Sequence, residues 1–236
     1  METAAARKRA RGMGRPAAVI VMAMAAVAVL AGLLALVAIA RRAGGKNAAA
    51  RNTAHIVILA APWGTVKSLA AADGSLERAV NQQTPVRVDV PPGEYAIVVF
   101  GANGREQSRR VRAAEGAPGE YRPVFDNFDA AAVAPGDPEL TAALRAYYRG
   151  DFAQAEIALQ QYVERKGPTR ALAEFYLGVS AVTRFYLAGE QDQEEKSKLQ
   201  LAARAAFRRA RETPGFVPPE PYVSPKIMEA YNNAIR

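Results

Sequence analysis

A single histidine, His55, and no cysteine are the first constraint on what chemistry this chain can perform. Without thiols there is no thiolate nucleophile, no disulfide and no cysteine–zinc site. One imidazole cannot build a histidine-based zinc cluster or most catalytic triads. His55 opens an apolar run, HIVILA, beside a linker, with no partner constellation around it, and reads as an ordinary strand-end residue. Carboxylate pairs such as Glu194-Glu195 sit in a polar run, GEQDQEEKSK, where acid–base tuning by burial is absent. No phosphate loop, dinucleotide fingerprint, nucleophile elbow or H-E-x-x-H occurs. The sequence therefore points to a non-catalytic protein with no cofactor and no resident metal.

Binding is the remaining chemistry. Trp63 stands between Pro62 and Gly64, either as a lid on a β-core or as a ligand-stacking ring. Arg109, Arg110 and Arg112 lie on a strand pattern that splits them between two faces, as a solvated surface does. Arg204, Arg208, Arg209 and Arg211 make one helix basic. Tyr147, Tyr148, Phe175, Tyr176, Phe185 and Tyr186 recur at helical spacing, and packing between helices accounts for most of them. The candidates for partner contact are Tyr147, Tyr148, Phe175, Tyr176, Tyr186 and Trp63.

Charge distribution narrows the partner. The net charge of +8 suggests nucleic acid. Residues 1–46 nevertheless carry eight Lys/Arg against one Glu, and the remaining residues carry 23 against 22. The high pI belongs to the N-terminal end, which argues against nucleic acid and for a membrane. After a basic tail (1–16), Ala17–Ala40 runs 24 residues without a charge, enough for one bilayer crossing at about 20 residues per span. Ala38-Ile39-Ala40 resembles a signal-peptide cleavage site, but the apolar run exceeds the roughly 7–15 residues of a signal h-region, which favours an uncleaved anchor. Five Lys/Arg precede the run and Arg41, Arg42, Lys46 and Arg51 follow it, placing the N-terminus in the cytoplasm and the bulk outside the inner membrane.

Residues 41–53 read as a linker. Residues 54–126 read as all-β. Thr84–Phe100, TPVRVDVPPGEYAIVVF, is the clearest stretch: a strand with three inward valines, a proline–glycine turn and a returning strand, as in a hairpin. Further strands are expected at His55–Ala60, Thr65–Ala70, Gln107–Arg112 and Tyr121–Phe125, about six in all. Residues 127–137 read as a second linker ending in an Asp137 N-cap and Pro138. From 138 to 236 the period turns helical, with helices over 140–148, 152–163, from Thr169, over 199–211 and from Ser224-Pro225.

Two family resemblances arise from these residues. Ala61-Pro62-Trp63-Gly64, the Thr84-Pro85 step and Pro91-Pro92-Gly93-Glu94-Tyr95 resemble the bacterial PEGA domain over about residues 54–126, a small extracytoplasmic β-sandwich with no catalytic residues to transfer. Tyr147–Ala155, Leu177-Gly178 and the Ala203, Phe207, Ala210 set resemble tetratricopeptide repeats, helix pairs that bind other proteins. The expected fold class is a multidomain, segregated α+β protein: an N-terminal transmembrane helix, a small PEGA-like all-β sandwich, and an all-α set of tetratricopeptide-like repeats. The resemblances imply a single-pass bacterial envelope scaffold that binds another envelope protein through its helices. The alternative is polysaccharide binding through the β-region.

Overall fold

The computed structural model describes residues 53–234. The basic tail, the expected span Ala17–Ala40 and all but the last residue of the 41–53 linker lie outside the described residues. Among the described residues, no helix is long and apolar enough to cross a membrane.

Seven strands come first: β1 (Ala54–Ile58), β2 (Gly64–Ala71), β3 (Glu77–Gln83), β4 (Val86–Val90), β5 (Gly93–Gly101), β6 (Glu106–Ala113) and β7 (Gly119–Tyr121). They form a three-stranded sheet in the order β4-β1-β7 and a four-stranded sheet in the order β3-β2-β5-β6. The first is mixed, because β1 runs antiparallel to β4 and parallel to β7. Ile56, Ile58, Val66, Leu69, Ile97 and Val99 are fully buried in one shared core.

Thr84–Phe100 does contain two strands, but they are not a hairpin. β4 pairs with β1, and β5 pairs with β2 and β6. The turn between them is a corner that carries the chain from one sheet to the other. Pro91 and Pro92 have no N–H to give to a ladder, so pairing stops there. Tyr95 secures the corner by donating its hydroxyl to the Pro91 carbonyl at 2.7 Å. Val86, Val88 and Val90 are buried on one side of the corner, and Tyr95, Ile97 and Val99 on the other. At the far end of β5, Gly101 opposes Gly64; a Cβ on Gly101 would strike the buried Phe125 ring, and one on Gly64 the Phe100 carbonyl. β3 was missed because ERAVNQQ has no apolar alternation: it is an edge strand with no fully buried residue.

Five helices follow: α1 (Pro138–Tyr148), α2 (Phe152–Glu164), α3 (Arg170–Leu187), α4 (Gln193–Arg211) and α5 (Pro225–Asn233). The Asp137 carboxylate caps α1 by accepting from the Leu140 N–H at 3.0 Å, and Pro138 occupies its first turn. α4 starts six residues before the apolar pattern does, because the polar run QEEKSK is exposed helix rather than loop. Glu194 and Glu195 lie in its first turn, where the helix dipole favours acids.

The expected fold class is corrected here. The described chain is a mixed three-stranded sheet and a four-stranded sheet followed by five helices, and Asn52–Arg236 forms one compact unit rather than segregated domains. The 127–137 stretch is not a free tether. Ala130–Ala132 is a 3-10 turn, and Ala130, Val133 and Ala134 are buried in the helical core. Arg145 donates to both Asp129 oxygens, at 3.1 and 3.0 Å. The helices also grip the sheets directly. Arg87 donates to the Leu187 carbonyl at 3.2 Å, Gln83 accepts from the Lys226 N–H at 3.0 Å, and Arg122 donates to the Arg149 carbonyl.

Gly178 marks the tightest crossing in the helical core: a Cβ there would enter the Phe207 ring. Phe207 is fully buried among Phe175 and Tyr231, so it has nowhere to retreat. Gly178→Ala is expected to lower unfolding stability by about 1–3 kcal/mol, despite alanine's better helix propensity. An unchanged denaturant midpoint would contradict this account of the crossing.

Candidate functional site

Helices α3, α4 and α5 enclose a half-open cleft of about 300 Å³. Each wall follows from its helix pattern. α3 ends in the aromatic pair Phe185-Tyr186, α4 turns Ala203 and Phe207 inward, and α5 contributes Ala230. These side chains and Val182 make an apolar floor. The rim is polar: Gln200 and Arg204 from α4, and Lys226, Glu229 and Asn233 from α5.

Lys226 closes the end of the cleft nearest the sheets. Its ammonium sits 4.2 Å from the Tyr186 ring centroid and donates to the Pro85 carbonyl. Burial lowers its pKa to about 8. Burial likewise raises the Tyr186 hydroxyl, with Glu229 adding to the rise. Lys196 lies 5.7 Å from the Phe185 ring on the opposite flank. A floor of aromatics and alanines with cations on the rim suits an apolar side chain carried beside an acidic one.

The six sequence candidates separate sharply. Tyr186 borders the cleft and is 36% exposed, enough to touch a partner. Phe175 and Tyr176 are corrected: both are completely buried. Phe175 packs on Phe207 and Tyr231 at ring-centroid distances of 5.6 and 5.2 Å, and no partner reaches it. The reason is that α3 is enclosed along its middle, where Ala173–Tyr176 and Gly178–Thr183 are all buried, so the aromatic spacing there serves the core.

Tyr147 and Tyr148 are half-buried where the helices meet the sheets. The Tyr147 hydroxyl bonds Thr183 Oγ1 at 2.9 Å, and burial pushes its pKa up to about 12. The Tyr148 hydroxyl donates to the Tyr222 carbonyl at 2.8 Å and lies 2.7 Å from the Tyr176 hydroxyl. Burial pushes Tyr148 well above the ordinary tyrosine range. Trp63 donates its indole N–H to the Pro221 carbonyl at 3.3 Å, so its ring joins the two halves. Tyr147, Tyr148 and Trp63 border a gap of only about 30 Å³, the size of one water.

His55 stands opposite Asp89 in the β1–β4 ladder. Burial first, then the Arg87 charge, lowers its pKa, while Asp89 opposes them. Among the described residues, no group of three or more His, Cys, Asp or Glu is placed to hold a metal ion.

Lys226, Glu229 and Asn233 were not singled out by sequence. The Ser224-Pro225 helix start was visible, but nothing in the residues signals that Lys226 meets Pro85, 141 positions away. No family model, no curated protein and no solved structure matches this chain.

The lowered Lys226 pKa carries a signed consequence. Below about pH 8 the lysine is charged in both folded and unfolded chains, and its burial penalty is fully present. Between that value and the ordinary lysine range the unfolded chain binds more protons, so stability rises with pH. Relative to Lys226→Met, the native chain should gain up to about 3 kcal/mol across that window. Parallel urea titrations of both proteins from pH 7 to 10 check it, and a pH-independent difference would overturn it.

Proposed function

We propose that this chain is a non-catalytic, single-pass envelope protein that binds a segment of another envelope protein in the α3–α4–α5 cleft. The cleft carries the reading: it has room for a side chain of a partner, an apolar floor, and cations on its rim. Tyr186 and Arg204 are the contact residues, and Lys226 orients Tyr186. The resemblance of Tyr147–Ala155 and Leu177-Gly178 to tetratricopeptide helix pairs supports a protein ligand. The motifs around Trp63, Pro85 and Gly93 resemble PEGA domains and support an extracytoplasmic setting for the β-region. The uncharged run Ala17–Ala40 supports the membrane attachment.

Polysaccharide binding through the β-region has less support. It relied on a free Trp63, and the indole N–H is engaged with Pro221.

Two experiments test the proposal. The full chain should remain in the pellet after alkaline carbonate extraction, and deletion of 17–40 should release it; release of the intact chain would refute the anchor. Ala230→Trp fills the cleft from α5. Partners crosslinked in native membranes from a photoreactive residue at position 186 should fall about tenfold in that variant. Undiminished recovery, with thermal unfolding unaltered, would rule the cleft out as the binding site.

A further inference from the structure

The α3–α4–α5 cleft is lined by opposite charges that do not meet. Lys226 and Glu229 stand three residues apart on α5, a spacing at which a cation and a carboxylate ordinarily pair. Among the described residues neither enters an ion pair, and nor does Arg204 on the facing wall. The Lys226 ammonium instead donates to the Pro85 carbonyl and sits 4.2 Å from the Tyr186 ring centroid. An ammonium has three N–H groups, so donor capacity remains. Glu229 acts on the same tyrosine: after burial, its charge is the second cause of the raised Tyr186 hydroxyl. A cation and an anion thus attend one aromatic ring beside an apolar floor.

We propose that this cleft also binds a free α-amino acid with an aromatic side chain, which excludes the partner segment while it is bound. Its carboxylate meets Lys226 and Arg204, its ammonium meets Glu229, and its ring lies on the floor against Phe185 and Tyr186. An α-amino acid carries both charges on one carbon. Lys226 and Glu229, about 5–6 Å apart at Cβ, each take one of them. A plain carboxylic acid would meet Glu229 as a like charge, and a plain amine would meet two cations. The volume of about 300 Å³ is at the low end for ligand sites and suits a molecule of one residue. The inference rests on the reading of this cleft as a binding site and adds a small-molecule control to it.

Calorimetry on the full chain in detergent tests this with L-phenylalanine as the probe. A dissociation constant of about 0.1 mM is expected, within what a ligand of this size allows. N-acetyl-L-phenylalanine lacks the ammonium and L-phenylalaninamide lacks the carboxylate, and each should bind about tenfold more weakly. Glu229 and Arg204 are exposed, so their variants should fold. Glu229→Gln should weaken L-phenylalanine about tenfold and leave the acetylated probe unchanged; Arg204→Gln should weaken it likewise and leave the amide unchanged. Saturating L-phenylalanine should lower partner crosslinking from a photoreactive residue at position 233 about tenfold. Absence of saturable heat would overturn the proposal, and so would binding that persists in Ala230→Trp or variants that bind undiminished. Equal binding of the acetylated probe would overturn it in favour of an apolar acid, and crosslinking undiminished by the amino acid would overturn the exclusion. Heat from L-phenylalanine with no partner crosslinked would refute the partner reading alone.

Discussion

Burial of α3 on every side is the constraint on which the rest of this molecule depends. From Gly178 to Thr183 each residue in turn is buried, so the helix has no solvent face over that stretch. Such a helix needs neighbours all around it, and α1, α2, α4, α5 and β4 supply them. Its polar groups need partners as well. Glu174 is 2% exposed, and its carboxylate is met by Arg170 at 2.9 Å, with Arg209 of α4 at 3.9 Å. Ser180 donates to Glu156 of α2 at 2.9 Å, and Arg184 joins Glu156 to Glu195 of α4 at 2.8 Å each. These ties fix which helix faces α3 at each height, a discrimination that apolar packing alone supplies poorly.

The same burial explains why sheets and helices form one unit. β4 is an edge strand, and an uncovered edge presents unpaired backbone groups. Here the C-terminal end of α3 and the start of α5 lie over it. Arg87 reaches out from β4 to the last carbonyl of α3, and Lys226 reaches back to the carbonyl just before β4. The lysine is only half-exposed as a result, and burial lowers its pKa to about 8. A charge placed so close to an apolar floor is costly, and the Tyr186 ring face offsets only part of that cost, as the lowered pKa shows. The cleft thus exists because the edge had to be covered, and its one aromatic rim residue is held by the residue that covers it.

Local signals were legible and long-range ones were not. The valine alternation of β4, the Asp137 cap, the Pro138 start and the small residues Ala155 and Ala203 all lie where short-range physics puts them, and both alanines are buried. The Pro91-Pro92 turn was legible as a turn, but a proline corner between sheets and a proline hairpin share one sequence signature. Only the pairing of β4 with β1, whose ladder partners lie 28 to 36 positions upstream, separates them. β3 was invisible because an exposed edge needs no apolar face. The aromatic set was misassigned in part for a related reason. Periodicity says that Phe175, Tyr176 and Tyr186 share one helix, but not that the helix is enclosed near its start and open near its end.

The hydroxyls show how such an enclosed array is kept in one arrangement. Tyr176, Tyr148 and the Tyr222 carbonyl form a chain with contacts of 2.7 and 2.8 Å. Burial raises both phenols, so they remain protonated donors through the physiological range and cannot serve as bases. A donor with one proton and one reachable carbonyl has one satisfied orientation. That orientation pins Tyr222 beside Phe128, with ring centroids 5.9 Å apart, and sets Pro221 where Trp63 reaches it. The segment between α4 and α5 is thereby tied to the sheets at its far end. Since α5 begins at Pro225, this tie also sets where Lys226 enters the cleft. The position of the cleft's inner cation is therefore decided by buried phenols that no ligand touches, which makes Tyr148 a positioning residue for the cleft rather than part of its surface.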